Sequence, residues 1–250
     1  MEILITNDDG IYAEGIYALA EALKKLGNVT VVAPDTQRSA VGHAITIAEP
    51  LRVVAANRNG GFFGYAASGT PADCVKLAIK SLMKKPPDLV VSGINLGGNL
   101  GYNILYSGTV SGATEGALLG IPSIAVSLDT FVKPDFSGSA AFALKLAAAV
   151  KKRPLPAGTL LNVNLPNMPA ARIKGVRVTS QSRTSFNEWF DKRTDPHGRT
   201  YYWMTGDFKP KDKVQSSDIN ALKAGYISVT PIQFDLTDYK FIPELENWKL

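Results

Sequence analysis

Apolar residues in the first two thirds of this chain fall in short solid runs, separated by longer stretches with helical spacing. Ile3 to Thr6 is one such run. After Gly10 a helical pattern passes through Tyr17, Leu19, Leu23 and Leu26, and Gly27 is expected to close it as a C-cap. Val29-Thr30-Val31-Val32-Ala33 is β-branched and runs into Pro34, which predicts a second strand. Asp73 to Met83 reads as a helix stopped by Pro86-Pro87. A third strand is expected at Asp88 to Ser92, and a helix from Gly112 to Leu119. Ile121 to Ser127 predicts a strand, Ser137 to Lys151 an Ala-rich helix, and Thr159 to Asn164 a last strand.

Strands that are apolar throughout must be covered on both faces, so their alternation with helices predicts a mostly parallel sheet between helical layers. The expected fold is α/β, a Rossmann-like three-layer sandwich. After Pro166 the pattern changes: Pro, Asn, Thr, Tyr and mixed charges dominate Arg183 to Lys213, and Tyr201-Tyr202-Trp203 reads as one strand of a hairpin. The chain is expected to be one domain, 1–250, with a catalytic core at 1–166 and a C-terminal elaboration at 167–250. Two readings of the hairpin stay open, an arm that pairs with another subunit and a hairpin folded on its own core.

Composition narrows the class. The chain has 250 residues, 45% of them hydrophobic and 20% charged, as in ordinary globular proteins. Lys and Arg number 27 against 22 Asp and Glu, a net +5 with the histidines neutral. That excess is dispersed, with no basic run that would mark a binder of nucleic-acid polymers. The lone Cys74 rules out an intrachain disulfide and is expected to be a core residue at a helix start. The chain opens on a strand pattern without a basic and apolar leader, and no apolar stretch is long enough to span a bilayer. A cytoplasmic protein is expected.

Open parallel sheets bind ligands beyond the carboxyl ends of their strands. After the first strand come Asn7-Asp8-Asp9-Gly10. Adjacent carboxylates there are costly unless neutralised, and a divalent cation does so; a helix cap and turn is the alternative. After the second strand, a polar loop from Pro34 supplies Ser39, Arg38 and His43. After the third, Ser92 to Gly101 offers glycines and the amide of Asn95. Tyr106-Ser107-Gly108-Thr109-Val110-Ser111-Gly112 then leads into a helix, and hydroxyls with bare amides at a helix start form an anion site. Carboxylate, hydroxyl and amide oxygens suit Mg²⁺, Mn²⁺ or Ca²⁺; one Cys and two separated His do not suit zinc. His43 could shuttle protons or contact phosphate, with a structural role as the alternative.

Met1 to Gly10, Ala33-Pro34-Asp35, Arg38-Ser39, Gly42 to Thr46, Gly69 to Val75, Ser92 to Gly97 and Tyr106 to Ser111 together resemble the SurE family of survival-protein nucleotidases. These blocks cover most of the first 130 residues in order; the C-terminal third carries no matching motif. Gly112 stands where small residues such as Ala are usual. The resemblance implies a metal-dependent phosphatase of nucleoside 5′- and 3′-monophosphates, in some members also of short polyphosphate. It implies that Asp8, Asp9, Ser39 and Asn95 hold one divalent cation, Mg²⁺ or Mn²⁺ with Ca²⁺ as a further candidate. It also implies that Ser107, Gly108 and Thr109 line the phosphate site, and that subunits form homodimers or homotetramers by C-terminal exchange.

The expected chemistry is metal-assisted phosphoester hydrolysis, with Asn95, Ser107, Thr109 and backbone amides stabilising the phosphoryl oxygens. Asp9 is the favoured general base, and direct attack by Asp8 through an aspartyl-phosphate is the alternative. A haloacid-dehalogenase phosphatase would need Asp-x-Asp after the first strand, where Asn7-Asp8-Asp9 stands. A signalling receiver would need an acceptor Asp near Asn95 and a shorter chain. A nucleotide-binding module would need a Gly-rich fingerprint that this chain lacks.

Overall fold

Ile3, Leu4 and Ile5 are all fully buried. Successive strand residues point to opposite faces, so the strand that carries them must be covered on both sides. In this computed structural model, which describes residues 1–184, 187–207 and 212–248, that is what the helices do. Residues 185–186 and 208–211 of the polar segment 183–213 lie outside the described residues. Ile3 and Ile5 of β1 (Glu2–Thr6) pack with Ile16, Leu19 and Leu23 of α1 (Glu14–Leu23) and with Ala140, Ala143 and Ala147 of α4 (Ser137–Lys152). Leu4 faces the other way, onto Cys74 and Val75 of α2 (Pro71–Leu77). Beside α2 on that face lies α3 (Gly108–Leu118), whose Val110, Ala113 and Ala117 join Ala125 and Leu160. Each fully buried Ile or Leu contributes about 1.5–3 kcal/mol, which is why the apolar runs dictate the layers.

The remaining strands are β2 (Asn28–Pro34), β3 (Val53–Arg58), β4 (Gly61–Ala67), β5 (Leu89–Leu96), β6 (Ser123–Asp129), β7 (Thr159–Pro166), β8 (Val176–Val178), β9 (Asn187–Thr194), β10 (Thr200–Asp207) and β11 (Ile227–Gln233). Among the described residues, nine of the eleven strands form one sheet, in the order β3-β4-β2-β1-β5-β6-β7-β11-β8. The neighbours from β4 to β7 run parallel, while β3 and β11 pair antiparallel with β4 and β7. The sequence thus yields the expected α/β layers with a mostly parallel sheet. The segment after Pro166 adds β8 and β11 to the same sheet, with α5 (Asp218–Lys223) packed against β11 and β7. A short α6 (Ile242–Glu246) follows.

Some local expectations change. Helix α1 stops at Leu23 and Gly27 does not cap it; a Cβ there would lie 2.0 Å from the Met1 carbonyl, so Gly27 serves close chain approach. Strand β5 continues past Ser92 to Leu96, which brings Asn95 onto a strand end instead of into a loop. The β3–β4 hairpin was not expected, although Asn59-Gly60 signals it. Both residues have positive φ (53° and 79°), as a tight two-residue hairpin turn requires. The β9–β10 hairpin is present as a separate two-stranded sheet; its Trp189, Phe190, Tyr202 and Trp203 are exposed, so it has no core of its own. No helix among the described residues is long and apolar enough to cross a membrane. Cys74 is buried, and burial pushes its thiol far above the ordinary range.

Asp73 closes a capping box on α2: its carboxylate accepts from Thr70 N (2.9 Å) while Thr70 Oγ1 accepts from Asp73 N (3.1 Å). It also accepts from Thr46 N (2.9 Å) and Thr46 Oγ1 (2.7 Å), which ties the polar loop after β2 to this helix. Burial raises its pKa, but the bonds from Thr46 and Thr70 outweigh that and leave it net lowered. A lowered carboxyl stabilises the fold above the unfolded-state pKa of about 3.9, and that contribution is lost as pH falls through the folded value. Asp73→Asn is therefore expected to lower stability by about 1 kcal/mol at pH 7, read from urea midpoints, with the gap closing below about pH 4. A gap that persists undiminished at low pH would contradict this role for Asp73.

Candidate active site

Asn7 shapes the turn after β1. Its Nδ2 donates to Gly10 O (2.9 Å) and its Oδ1 accepts from Gly10 N (3.2 Å), while Gly10 takes φ +97°. The chain bends there and presents Asp8 and Asp9 at the carboxyl end of the sheet. Neither acid caps α1, which begins behind Ala13 without any side-chain cap. The cap reading of this turn is therefore not realised.

Asp8 is 4% exposed. The Thr109 hydroxyl donates to its Oδ1, and Arg38 N donates to the Asp8 carbonyl (2.7 Å). Burial raises the Asp8 pKa; the Thr109 hydroxyl and the amides of Asp8, Thr109 and Gly108 pull it back only in part. Asp9 is half-buried, and burial, followed by the charge of Asp8, pushes its pKa up to about 6. Its Oδ2 receives only a long bond from Leu96 N (3.4 Å). No side-chain cation pairs with either acid among the described residues.

Helix α3 comes so close because glycines face the sheet. A Cβ on Gly108 would lie 2.7 Å from Asp8 Cβ, and one on Gly112 2.7 Å from Thr6 Cγ2; one on Gly116 would lie 2.4 Å from Ser123 Oγ. Gly112 is therefore required here by contact. Ser107 caps the helix, its Oγ accepting from Val110 N (3.1 Å), so both Ser107 and Thr109 hydroxyls already serve the local structure. The helix start still directs its amides toward Asp8 and the space above it.

Asn95 lies just beyond a bulge between Gly93 and Asn95, where β5 shifts register against β6. Its Nδ2 donates to Gly97 O (2.8 Å), which leaves Oδ1 as the unbonded end of the amide. Ser39 is exposed, one residue past the Arg38 amide that binds Asp8, and its Oγ accepts from Gln37 Nε2 (2.8 Å). Asp8, Asp9, Gly108 and Thr109 are thus in direct contact, with Asn95 and Ser39 joined to them through Leu96 and Arg38.

His43 stands apart. Its Nε2 lies 2.9 Å from Glu115 Oε2, seven residues along α3 from Gly108, or about 10 Å up the helix. Glu115 is 3% exposed and also accepts from Lys76 Nζ. Burial raises the Glu115 pKa, and its bonds to His43 and Lys76 outweigh that and lower it. Glu115 was not singled out from the sequence. The available signal was that it is the one charged residue in the Gly108–Leu118 helix.

The donor set fits a hard divalent cation. Two adjacent carboxylates resist joint ionisation, the Asn95 amide oxygen has no hydrogen-bond partner among the described residues, and a helix start supplies amides for an anion. The described residues hold no cluster of three or more His, Cys, Asp or Glu side chains that could bind a metal, so a cation here must complete its shell with hydroxyl, amide and ligand oxygens.

The sequence and the fold are similar to those of known proteins. Residues 3–188 match the family described as Survival protein SurE. The 5′-nucleotidase SurE of Syntrophobacter fumaroxidans is 55% identical over 250 residues, covering 100% of both chains. That of Geobacter sulfurreducens is 50% identical, covering 100% of this chain and 94% of its own. The crystal structure of the SurE protein from Aquifex aeolicus covers 100% of both chains with a TM-score of 0.88 at 43% identity.

Glu115→Ala would leave Lys76 and His43 without their shared buried partner. Lys76 is 43% exposed and can turn to water, so the expected loss of stability is at the low end for a charged hydrogen-bond pair, about 1–2 kcal/mol. Faster protease cleavage within residues 39–50 should accompany it. Unchanged cleavage of that loop would show that Glu115 does not hold it.

Proposed function

The chain belongs to the survival protein SurE family, and on that premise we propose how its own residues carry out the reaction. It is a metal-dependent 5′-nucleotidase, which hydrolyses nucleoside 5′-monophosphates to nucleoside and phosphate. We assign one divalent cation, Mg²⁺ or Mn²⁺ with Ca²⁺ as a further fit, to Asp8, Asp9, Ser39 and Asn95. Ser107, Gly108 and Thr109, together with Asn95, are assigned to the phosphoryl oxygens. The observation that carries this reading is the pair of adjacent carboxylates, without a cationic side-chain partner among the described residues, against the start of α3.

When bound, the cation supplies polarisation of a phosphoryl oxygen and acidification of water. The chain supplies the rest. Thr109 holds Asp8 in one orientation, and Gly97 fixes the amide of Asn95. Asp9, the more exposed acid, is placed to accept the proton of the attacking water. The amides at the start of α3 stabilise charge on the equatorial oxygens. Direct attack by Asp8 through an aspartyl-phosphate is the alternative route. His43 would have to leave Glu115 to reach phosphate, so we assign it to steadying the loop that carries Ser39.

The contacts described here read a phosphoryl group and a cation, so nucleoside 3′-monophosphates and short polyphosphate are proposed as further substrates. We treat residues 1–250 as one catalytic unit and, given its lone buried thiol, place it in the cytoplasm. The exposed aromatics of β9 and β10 support a homodimer or homotetramer built through this arm.

Phosphate release from AMP with Mn²⁺ is expected to stop on addition of EDTA, and Asp8→Asn should lower kcat by roughly a hundredfold or more. Turnover indifferent to chelation would sink the assignment. Stereochemical inversion at phosphorus in a chiral thiophosphate substrate is expected for direct attack by water, whereas retention would indicate the aspartyl-phosphate route. For the arm, light scattering on Phe190→Ser/Trp203→Ser protein should give a smaller mass than the parent; equal masses would place the interface elsewhere.

A further inference from the structure

Phe131 is 81% exposed, an unusual position for a phenyl ring with no polar group of its own. It sits on the turn after β6, the strand beside β5, at the same carboxyl-end edge as the catalytic acids. A Cβ built on Gly97 would lie 2.5 Å from its Cζ and 2.7 Å from its Cε1, so the tip of the ring occupies the space left by that glycine. The carbonyl of Gly97 in turn holds Asn95 Nδ2 (2.8 Å). Ring, glycine and proposed cation ligand are therefore consecutive contacts.

The turn that carries the ring is braced. Thr130 N donates to Leu128 O (2.8 Å), Val132 N donates to Thr130 Oγ1 (3.0 Å), and Thr130 Oγ1 donates to Val132 O (2.8 Å). Gly97 N donates to the same Leu128 carbonyl (2.9 Å), which joins the two turns at their base. The backbone beneath the ring is thus held against the loop that bears Asn95.

A nucleoside monophosphate runs from its phosphate through a ribose to a flat heterocycle. With the phosphate at the start of α3, recognition of the base needs a flat apolar surface displaced from the acids, and none of the groups already assigned offers one. We propose that Phe131 is a specificity-determining residue that stacks on the base of the substrate. Every base has a π-face, so such a contact favours nucleotides over base-free phosphate esters and discriminates only weakly among bases. The inference rests on the catalytic site proposed above.

The test compares the full chain with Phe131→Ala, Phe131→Trp and the distant control Phe62→Ala, on AMP and on ribose 5-phosphate with Mn²⁺. In Phe131→Ala the ratio of kcat/KM for AMP to that for ribose 5-phosphate should fall on the order of tenfold, mainly through KM for AMP. Phe131→Trp should restore the ratio, and Phe62→Ala should leave it as in the parent. A ratio unmoved in Phe131→Ala, or a Trp variant as poor as the Ala one, would overturn the stacking role while leaving the catalytic site intact. A parent protein that released no phosphate from AMP would instead overturn the reading on which this inference stands.

Discussion

Helix α3 rests on the sheet through Gly108, Gly112 and Gly116, whose bare backbone lies against the side chains of Asp8, Thr6, Ser92, Ser123 and Val90. That close approach is the constraint on which the site depends. A Cβ at any of the three would meet another atom at under 3.0 Å, and the helix would have to lift. Lifting it would move the amides at its start away from Asp8 and draw the Thr109 hydroxyl off the carboxylate that it holds. The same contact explains why α3 is nearly all small residues: its inner face has no room for more, and Glu115 can be buried there because His43 and Lys76 meet it.

Electrostatics works in the opposite direction from packing. Burial makes the Asp8–Asp9 pair unfavourable, and the local hydrogen bonds compensate only in part, so both acids have raised pKa values. Compare Asp73 and Glu115, which are also little exposed but whose partners outweigh burial and hold them low. The four acids thus separate into two kinds. Asp73 and Glu115 have their compensating partners within the chain and tie the loop after β2 in place. Asp8 and Asp9 find no compensating cation among the described residues.

The loop after β2 shows how an irregular segment can be fixed in place. Between Asp35 and Pro50 it contains no helix or strand, yet Arg38 N binds the Asp8 carbonyl and Gly42 N binds the Tyr106 carbonyl (3.0 Å). Thr46 binds Asp73, and Thr70 Oγ1 donates to Ala44 O (2.7 Å). Ser39 lies between the first two of these attachments. It is exposed, but the backbone on either side of it is fixed by bonds to the core.

The order of strands and helices was legible in the sequence because both faces of a parallel sheet must be apolar, and Ile3 to Thr6 or Val29 to Ala33 can hardly satisfy any other environment. The Asp8–Asp9 pair, the glycine-rich approach to Asn95 and the hydroxyls before α3 were legible as well, since a buried strand end gives polar groups few other uses. Local signals also exist for what went unread. Asn59-Gly60 marks the β3–β4 hairpin, whose strands have a weak apolar pattern, and Thr70 with Asp73 marks a capping box at the start of a helix that the pattern does show. Other features have no local signal. That Gly27 accommodates Met1, that Glu115 captures His43 two turns from the start of α3, and that the ring of Phe131 lies on Gly97 depend on segments 26, 72 and 34 positions apart. Periodicity reports which way a side chain faces within its own element, whereas the identity of its partner is decided only when the sheet order brings distant strand ends together.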